Sequence, residues 1–264
     1  EKNQLSQKWF SIKLAKSELA LTSKEQEWLK ENRNIRLGYD LDWPPVEYES
    51  NEGSYQGISA AYLDLVAESL GLTIEATSTQ NISHGFEMIH SGAIDFLPAV
   101  MGSEESGDLI EFSTPYLSFP MVIVSDEDSP YIGSLKQLTT KKISVVANRA
   151  SYDILSKQHP ELELIAVNNI HEGLKSVQSG DSYAFVDSLA AIGNIMNREG
   201  VTGLKVTGET PYRIELSMAV SKDQPILLSV LQKALDAIPE DQRNEIYNRW
   251  ISISYELGFA YSLF

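Results

Sequence analysis

Apolar and polar residues along this 264-residue chain switch between two periods, and the switches mark its elements. Ile35, Leu37 and Tyr39 alternate with polar neighbours, the pattern of a half-buried strand. Ile58, Ala61, Leu65, Val66 and Leu70 then recur at helical spacing, and Gly71 supplies the stop. Between these segments Trp43-Pro44-Pro45 reads as a stiff extended turn, because proline fixes φ and keeps the residue before it out of the helical region. Upstream, Thr22-Ser23-Lys24-Glu25 has the form of a capping box that opens a short helix through Trp28 and Leu29. Downstream, strands and helices alternate: Leu72 to Ala76, Ser83 to His90, Ile94 to Val100, Ile143 to Val146, Ala150 to Lys157, Leu162 to Val167, His171 to Gln178, Tyr183 to Val186 and Ser188 to Met196. The alternation predicts α/β layers with largely parallel sheets.

Two internal echoes bear on organisation. Met88-Ile89-His90-Ser91-Gly92 leads into a strand carrying Asp95, and Ser176-Val177-Gln178-Ser179-Gly180 leads into a strand ending at Asp187. In both, glycine supplies the left-handed residue that ends a helix. Any α/β protein repeats helix, glycine and strand, and two similar lobes fit the echo equally well. Lys8-Trp9-Phe10-Ser11-Ile12 also resembles Arg249-Trp250-Ile251-Ser252-Ile253, where Trp250 closes a helix that begins at Pro239. If Trp9 closes an equivalent helix, a copy of the same domain precedes residue 1 and the chain is one member of a tandem.

Charge and composition narrow the function. Acidic residues outnumber basic ones 37 to 21, for a formal charge of −16, so a polyanion such as DNA is repelled. No nucleic-acid partner is expected. The absence of cysteine excludes thiol catalysis, disulfides and zinc–thiolate sites, but does not fix the compartment. No apolar run approaches the roughly 18 residues that cross a bilayer.

Catalytic signals are missing. His84, His90, His159 and His171 have no helical i, i+4 pairing, and HExxH, GxSxG, GxGxxG and P-loop motifs do not occur. Acidic clusters at Glu104-Glu105 with Asp108 and Glu111, and at Asp126-Glu127-Asp128, read as solvated loops. The second lacks the glycine and distal glutamate of a calcium loop. No metal or cofactor is implied.

The order of motifs resembles a known family. Ile35-Arg36-Leu37-Gly38, Trp43-Pro44-Pro45, Gln56-Gly57-Ile58 with Tyr62-Leu63-Asp64, Ser91-Gly92-Ala93-Ile94-Asp95 and Phe112-Ser113-Thr114-Pro115-Tyr116 are similar to the amino-terminal lobe of type 2 periplasmic solute-binding proteins. Leu135 to Leu138, Ile143-Ser144-Val145-Val146, Ser151-Tyr152 and Tyr183-Ala184-Phe185-Val186-Asp187 fit the second lobe. The resemblance runs from about Ile35 to Trp250. More narrowly, Leu21 to Leu29, Leu216 to Pro225 and Ile246 to Trp250 resemble segments of the Venus-flytrap sensor domains of tandem-flytrap bacterial sensor kinases.

The resemblance implies an α/β, two-lobed periplasmic-binding-protein fold of type 2 with two hinge strands. Residues 1–34 would be a connector from a preceding domain, 35–124 plus 217–255 lobe 1, 129–212 lobe 2, and 256–264 a tail before a membrane helix. It also implies a periplasmic domain of an inner-membrane protein, without catalytic activity, that binds a small polar molecule between its lobes and signals by cleft closure. The expected partners are that solute (an amine, an amino-acid-like or a neutral polar molecule), a preceding flytrap domain in the same chain, and a second copy in a homodimer. A free solute-binding protein of a transporter, a dehydratase on the same fold, and a cleft that signals while empty remain open.

Site residues follow from the same resemblance. Tyr39 and Trp43 stand where relatives place aromatic rings over the ligand. Met101 and Ser103 follow the third strand, where relatives offer backbone groups and a hydroxyl. Ser106 occupies the position of the arginine with which amino-acid-binding relatives clamp a carboxylate, so that clamp is missing. Arg149 and Ser151 lie at a helix start suited to an anion. Asp187 matches the position from which relatives hold a ligand ammonium, and is also placed to cap the following helix.

Overall fold

The computed structural model describes residues 19–102, 108–147 and 149–251. The echo at residues 8–12, the tail at 256–264, Ser103 and Ser106 lie outside them.

Helix α1 (Ser23–Glu31) opens on the expected capping box: Thr22 Oγ1 accepts from the Glu25 amide, and Glu25 Oε2 accepts from the Thr22 amide. Strand β1 (Asn34–Asp40) follows, then a small antiparallel sheet of β2 (Asp42–Trp43), β3 (Glu47–Glu49) and β4 (Tyr55–Gln56). The sequence shows only a turn here, because three strands of two or three residues are too short for a period to register. The Pro44–Pro45 peptide at its bend is cis.

Helix α2 (Ile58–Leu70) ends on Gly71 in the left-handed region, as its sequence predicts. It buries Ile58, Tyr62, Leu63 and Val66, one helical face, against α7 (Pro225–Asp236). Each such apolar side chain removed from water contributes about 1.5–3 kcal/mol before conformational entropy is charged. The first half is completed by β5 (Thr73–Thr79), α3 (Ile82–His90), β6 (Phe96–Val100), β7 (Ile110–Phe112) and α8 (Glu240–Trp250). Long β8 (Leu117–Asp126) leads across to the second half: β9 (Lys142–Val146), α4 (Ala150–Gln158), β10 (Glu163–Val167), α5 (Ile170–Gln178), β11 (Ala184–Ser188) and α6 (Leu189–Glu199). Strand β12 (Leu204–Ser221) returns.

The two halves share one plan. In the first, β1 lies between β5 and β6, all parallel, with β12 antiparallel beyond β6. In the second, β9 lies between β10 and β11, all parallel, with β8 antiparallel beyond β11. Between them, residues 117–120 and 213–216 pair with each other alone among the described strands. Only this two-stranded ribbon carries the sheet from one half to the other.

The helix–glycine–strand echo is structural. Helices α3 and α5 each start under an asparagine cap, Asn81 accepting from the His84 amide and Asn169 from the Glu172 amide. Each then ends before a left-handed glycine, Gly92 and Gly180. Midway, Gly85 and Gly173 let each helix settle onto a core side chain of the next strand, Leu97 and Phe185. Asp95 and Asp187 do not correspond: Asp95 pairs with Arg36 at 2.8 Å, whereas Asp187 lies within β11. Nor does Asp187 cap α6, because Ser188, one residue later, accepts from the Ala191 amide.

Both flanking helices sit on the first half. Helix α1 packs on α7 and α8 on α2. At its end, Trp250 meets the Tyr48 ring edge-on at 6.2 Å. It also shares a cavity of about 340 Å³ with Ala190, Gly193 and Asn194 of α6 in the second half.

Candidate ligand site between the halves

Parallel strands of both halves end facing one another, and ligands of open α/β sheets bind at such carboxyl ends. Here they enclose a cavity of about 300 Å³. Asp40 at the end of β1, Trp43, Glu47, the start of α3 (Gln80, Asn81, Ser83) and Met101 after β6 form one wall. Val146, Ala147, Arg149, Asp153 and Asn168 form the other.

Arg149 crosses the gap. Its Nη1 lies 3.1 Å from Asp40 Oδ2, and its Nη2 donates to the Asp42 carbonyl at 2.9 Å. The guanidinium carbon stands 4.8 Å from the centroid of the Trp43 ring. Asp40 is fixed in turn, its Oδ1 accepting from the Asp42 amide at 2.9 Å.

Glu47 forms the floor and is 4% exposed. Its Oε1 accepts from the Asp40 amide at 2.9 Å, which ties it to the seat of Arg149. Burial raises its pKa to about 8, against the opposing pull of the Asp40 amide and Arg149. The cavity thus holds three carboxyl-bearing residues, Asp40, Glu47 and Asp153, and Arg149 is its one arginine or lysine among the described residues. With Arg149 already paired to Asp40, the lining suits a polar neutral or cationic occupant better than an anion.

The sequence-derived residues divide. Trp43, Met101 and Arg149 line the cavity. Tyr39 stands behind the wall: its buried ring lies 4.6 Å from that of Tyr55, and its hydroxyl donates to Glu49 at 2.8 Å. Burial, aided by Glu49, pushes that phenol up to about 12. Ser151 and Asp187 are buried against each other, with Ser151 Oγ donating to Asp187 Oδ2 at 3.1 Å. The Ser188 amide donates to Asp187 Oδ1 at 2.6 Å, so both oxygens are engaged and the carboxylate braces α4 against β11. Burial raises the Asp187 pKa.

Asp40, Glu47, Asp153 and Asn168 were not apparent from the sequence. Asp40 had a usable signal, as the last residue of a parallel strand. Glu47 had none, since a glutamate two residues after paired prolines reads as exposed loop. Among the described residues no group of three or more His, Cys, Asp or Glu side chains is placed to hold a metal ion.

A family model for the bacterial extracellular solute-binding proteins, family 3, matches residues 35–253. The chain belongs to that family. Among curated family relatives, the virulence sensor protein BvgS of Bordetella pertussis is 25% identical over 241 residues, covering 91% of this chain and 20% of BvgS. The sensor protein EvgS of Escherichia coli K12 is 23% identical over 260 residues, covering 95% of this chain and 21% of EvgS. The chain therefore spans about a fifth of the length of these relatives. A crystal structure of the VFT2 domain of B. pertussis BvgS, in a doubly substituted form, superposes with a TM-score of 0.78 at 25% identity, covering 88% of this chain and 99% of that one. The two-lobed fold with two hinge strands, and the kinship with flytrap sensor domains, are both borne out. These relatives are sensor proteins, in line with a domain that binds and signals.

Proposed function

We propose that this chain is the extracytoplasmic sensing domain of a membrane-bound signalling protein, which takes a small polar solute between its lobes and signals by the change in their separation. One observation carries the reading: among the described residues the sheet passes between the halves through two strands alone, so contacts inside the cleft bear on their separation, and Arg149 makes such contacts. Kinship with BvgS and EvgS along almost the whole chain supports the sensing role.

On this reading residues 35–116 with 217–251 form lobe 1, residues 121–212 form lobe 2, and the hinge lies at 117–120 and 213–216; the lobe-1 limit of 124 expected from the sequence gives way because residues 121–125 pair with β11 in the second half. The full-length protein carries a flytrap domain before this one, works as a homodimer in the inner membrane with the domain in the periplasm, and passes its signal to a kinase module. The fragment itself performs no catalysis. An amine or a neutral polar molecule is the expected solute, because Ser106 stands where relatives carry the carboxylate-clamping arginine and the cavity's one arginine, Arg149, is already paired with Asp40.

The test is thermal unfolding and small-angle scattering of the chain against a panel of amines, amino acids, carboxylates and sugars. A solute at ~100 times its dissociation constant adds about 2.7 kcal/mol of stability. The expected result is a melting shift of several degrees with an altered radius of gyration, lost in Trp43→Ala. A shift with no change in radius would overturn signalling by lobe separation, and a hit that ignores Trp43→Ala would place the solute elsewhere.

A further inference from the structure

We propose that Arg149 is a tethered ligand of its own cleft: Trp43, Asp40 and the Asp42 carbonyl form a seat for a guanidinium group, and lobe 2 reaches over to fill it. The inference rests on the reading of the cleft as the place where lobe separation is set, and it adds both a ligand class and a sign of response.

The seat meets each demand of a planar organic cation. The Trp43 ring face attracts positive charge from one side, at 4.8 Å. The Asp40 carboxylate at 3.1 Å and the Asp42 carbonyl at 2.9 Å accept from two different nitrogens of the group. Lysine has no plane to lay on the indole and no forked edge to bridge the two acceptors. All three elements of the seat belong to lobe 1 and their occupant to lobe 2, so filling the seat closes the cleft.

An ordinary surface ion pair would show one partner and high exposure. Arg149 has three partners from one short segment, and only 24% of its side chain is exposed. The Asp42 amide holds Asp40 in position for it. The solute class that fits is a small guanidine or amine without a carboxylate. In the intact protein such a solute competes with Arg149, so its binding releases lobe 2 rather than drawing it in.

The test is chemical rescue, with methylguanidinium at low millimolar concentration as the probe. Arg149→Ala, with Arg149→Gln as a second variant, is expected to melt about 2–4 °C lower than the parent chain, an effect of the size one lost contact produces in a chain this long. Its radius of gyration should rise. Methylguanidinium should then raise the melting temperature of R149A and R149Q by more than that of the parent chain, where Arg149 competes for the seat, and do nothing for the Asp40→Asn/Arg149→Ala double variant. Arg149→Lys should behave like R149A.

Equal radii and melting temperatures for R149A, R149Q and the parent would overturn the proposal, as would equal rescue of R149A and the double variant. An R149K chain indistinguishable from the parent would overturn the guanidinium assignment. Failure of the sensing reading looks different: rescue succeeds, but no solute of the wider panel moves the radius of the parent chain.

Discussion

Lys233 Nζ lies 2.8 Å from Glu25 Oε2, joining α7 near the end of the described chain to α1 near its beginning. Ser229 Oγ donates to the other oxygen at 2.7 Å, and the Thr22 cap shares Oε2. Glu25 is buried, and these bonds, that of Lys233 first, hold its carboxyl at about 2. The helix ahead of β1 is thus fastened to lobe 1.

Glu25→Gln should therefore cost about 1–2 kcal/mol through the weakened cap and the lost charge on the bond to Lys233. The depressed carboxyl also fixes a sign. Its contribution is fully present above the unfolded value near 4.5 and is lost as pH falls towards 2. Melting temperatures from pH 5 to 2.5 should fall less steeply in E25Q than in the parent. Parallel curves would show that Glu25 is not held ionised.

Glu47 has the opposite sign. Its carboxyl is raised to about 8, so its contribution is full below pH 4.5 and declines as pH rises through 8. The slope approaches about 1.4 kcal/mol per pH unit where the unfolded chain is ionised and the folded one is not. Glu47→Gln should flatten the stability curve between pH 5 and 8, read as urea midpoints at each pH. Arg149→Ala should shift the Glu47 inflection upward, because Arg149 now favours the carboxylate.

Asp187→Ala should act on stability rather than on the cleft. Removing the carboxylate leaves buried Ser151 without its partner, a loss of about 1–3 kcal/mol. Solute affinity, measured calorimetrically in D187A, should stay within a few-fold of the parent. A complete loss of binding in a folded variant would return Asp187 to the cleft.

Gly173 and Gly85 offer a matched pair. A Cβ on Gly173 would lie 2.3 Å from the ring of Phe185, which is fully buried, and one on Gly85 would lie 2.9 Å from the tip of Leu97. Gly173→Ala should cost about 1–3 kcal/mol and Gly85→Ala distinctly less, since an aromatic ring has fewer ways to yield than a leucine tip. Denaturant midpoints decide it.

Much of this architecture was legible in the sequence because its helices announce both ends. Thr22 and Gly71 mark a start and a stop that the structure keeps. Strands were legible where periodicity lasted, as at Ile35, Leu37 and Tyr39, but β2 to β4 are too short to show one. The site was legible only in part. Trp43 and Arg149 reach the cavity, but which way Tyr39 faces was decided by Tyr55 and Glu49, residues distant enough in sequence that no local pattern names them. Asp187 read as both ligand and cap; Ser188 caps α6 in its place, and the carboxylate is turned from the cavity lining towards a serine hydroxyl of α4. Tertiary partners, not local propensity, assign buried polar groups.

The two strands at 117–120 and 213–216 have a mechanical consequence. Helices α1 and α8 both grip lobe 1, which makes that lobe the stator. Lobe 2 is a rotor mounted on one two-ply axle, and its swing does no work on the flanking chain unless something rides on its rim. Trp250, beside α6 at the end of α8, is placed as that follower. Movement of the cleft would reach the end of the described chain at Trp250 and Ile251, which line that cavity together.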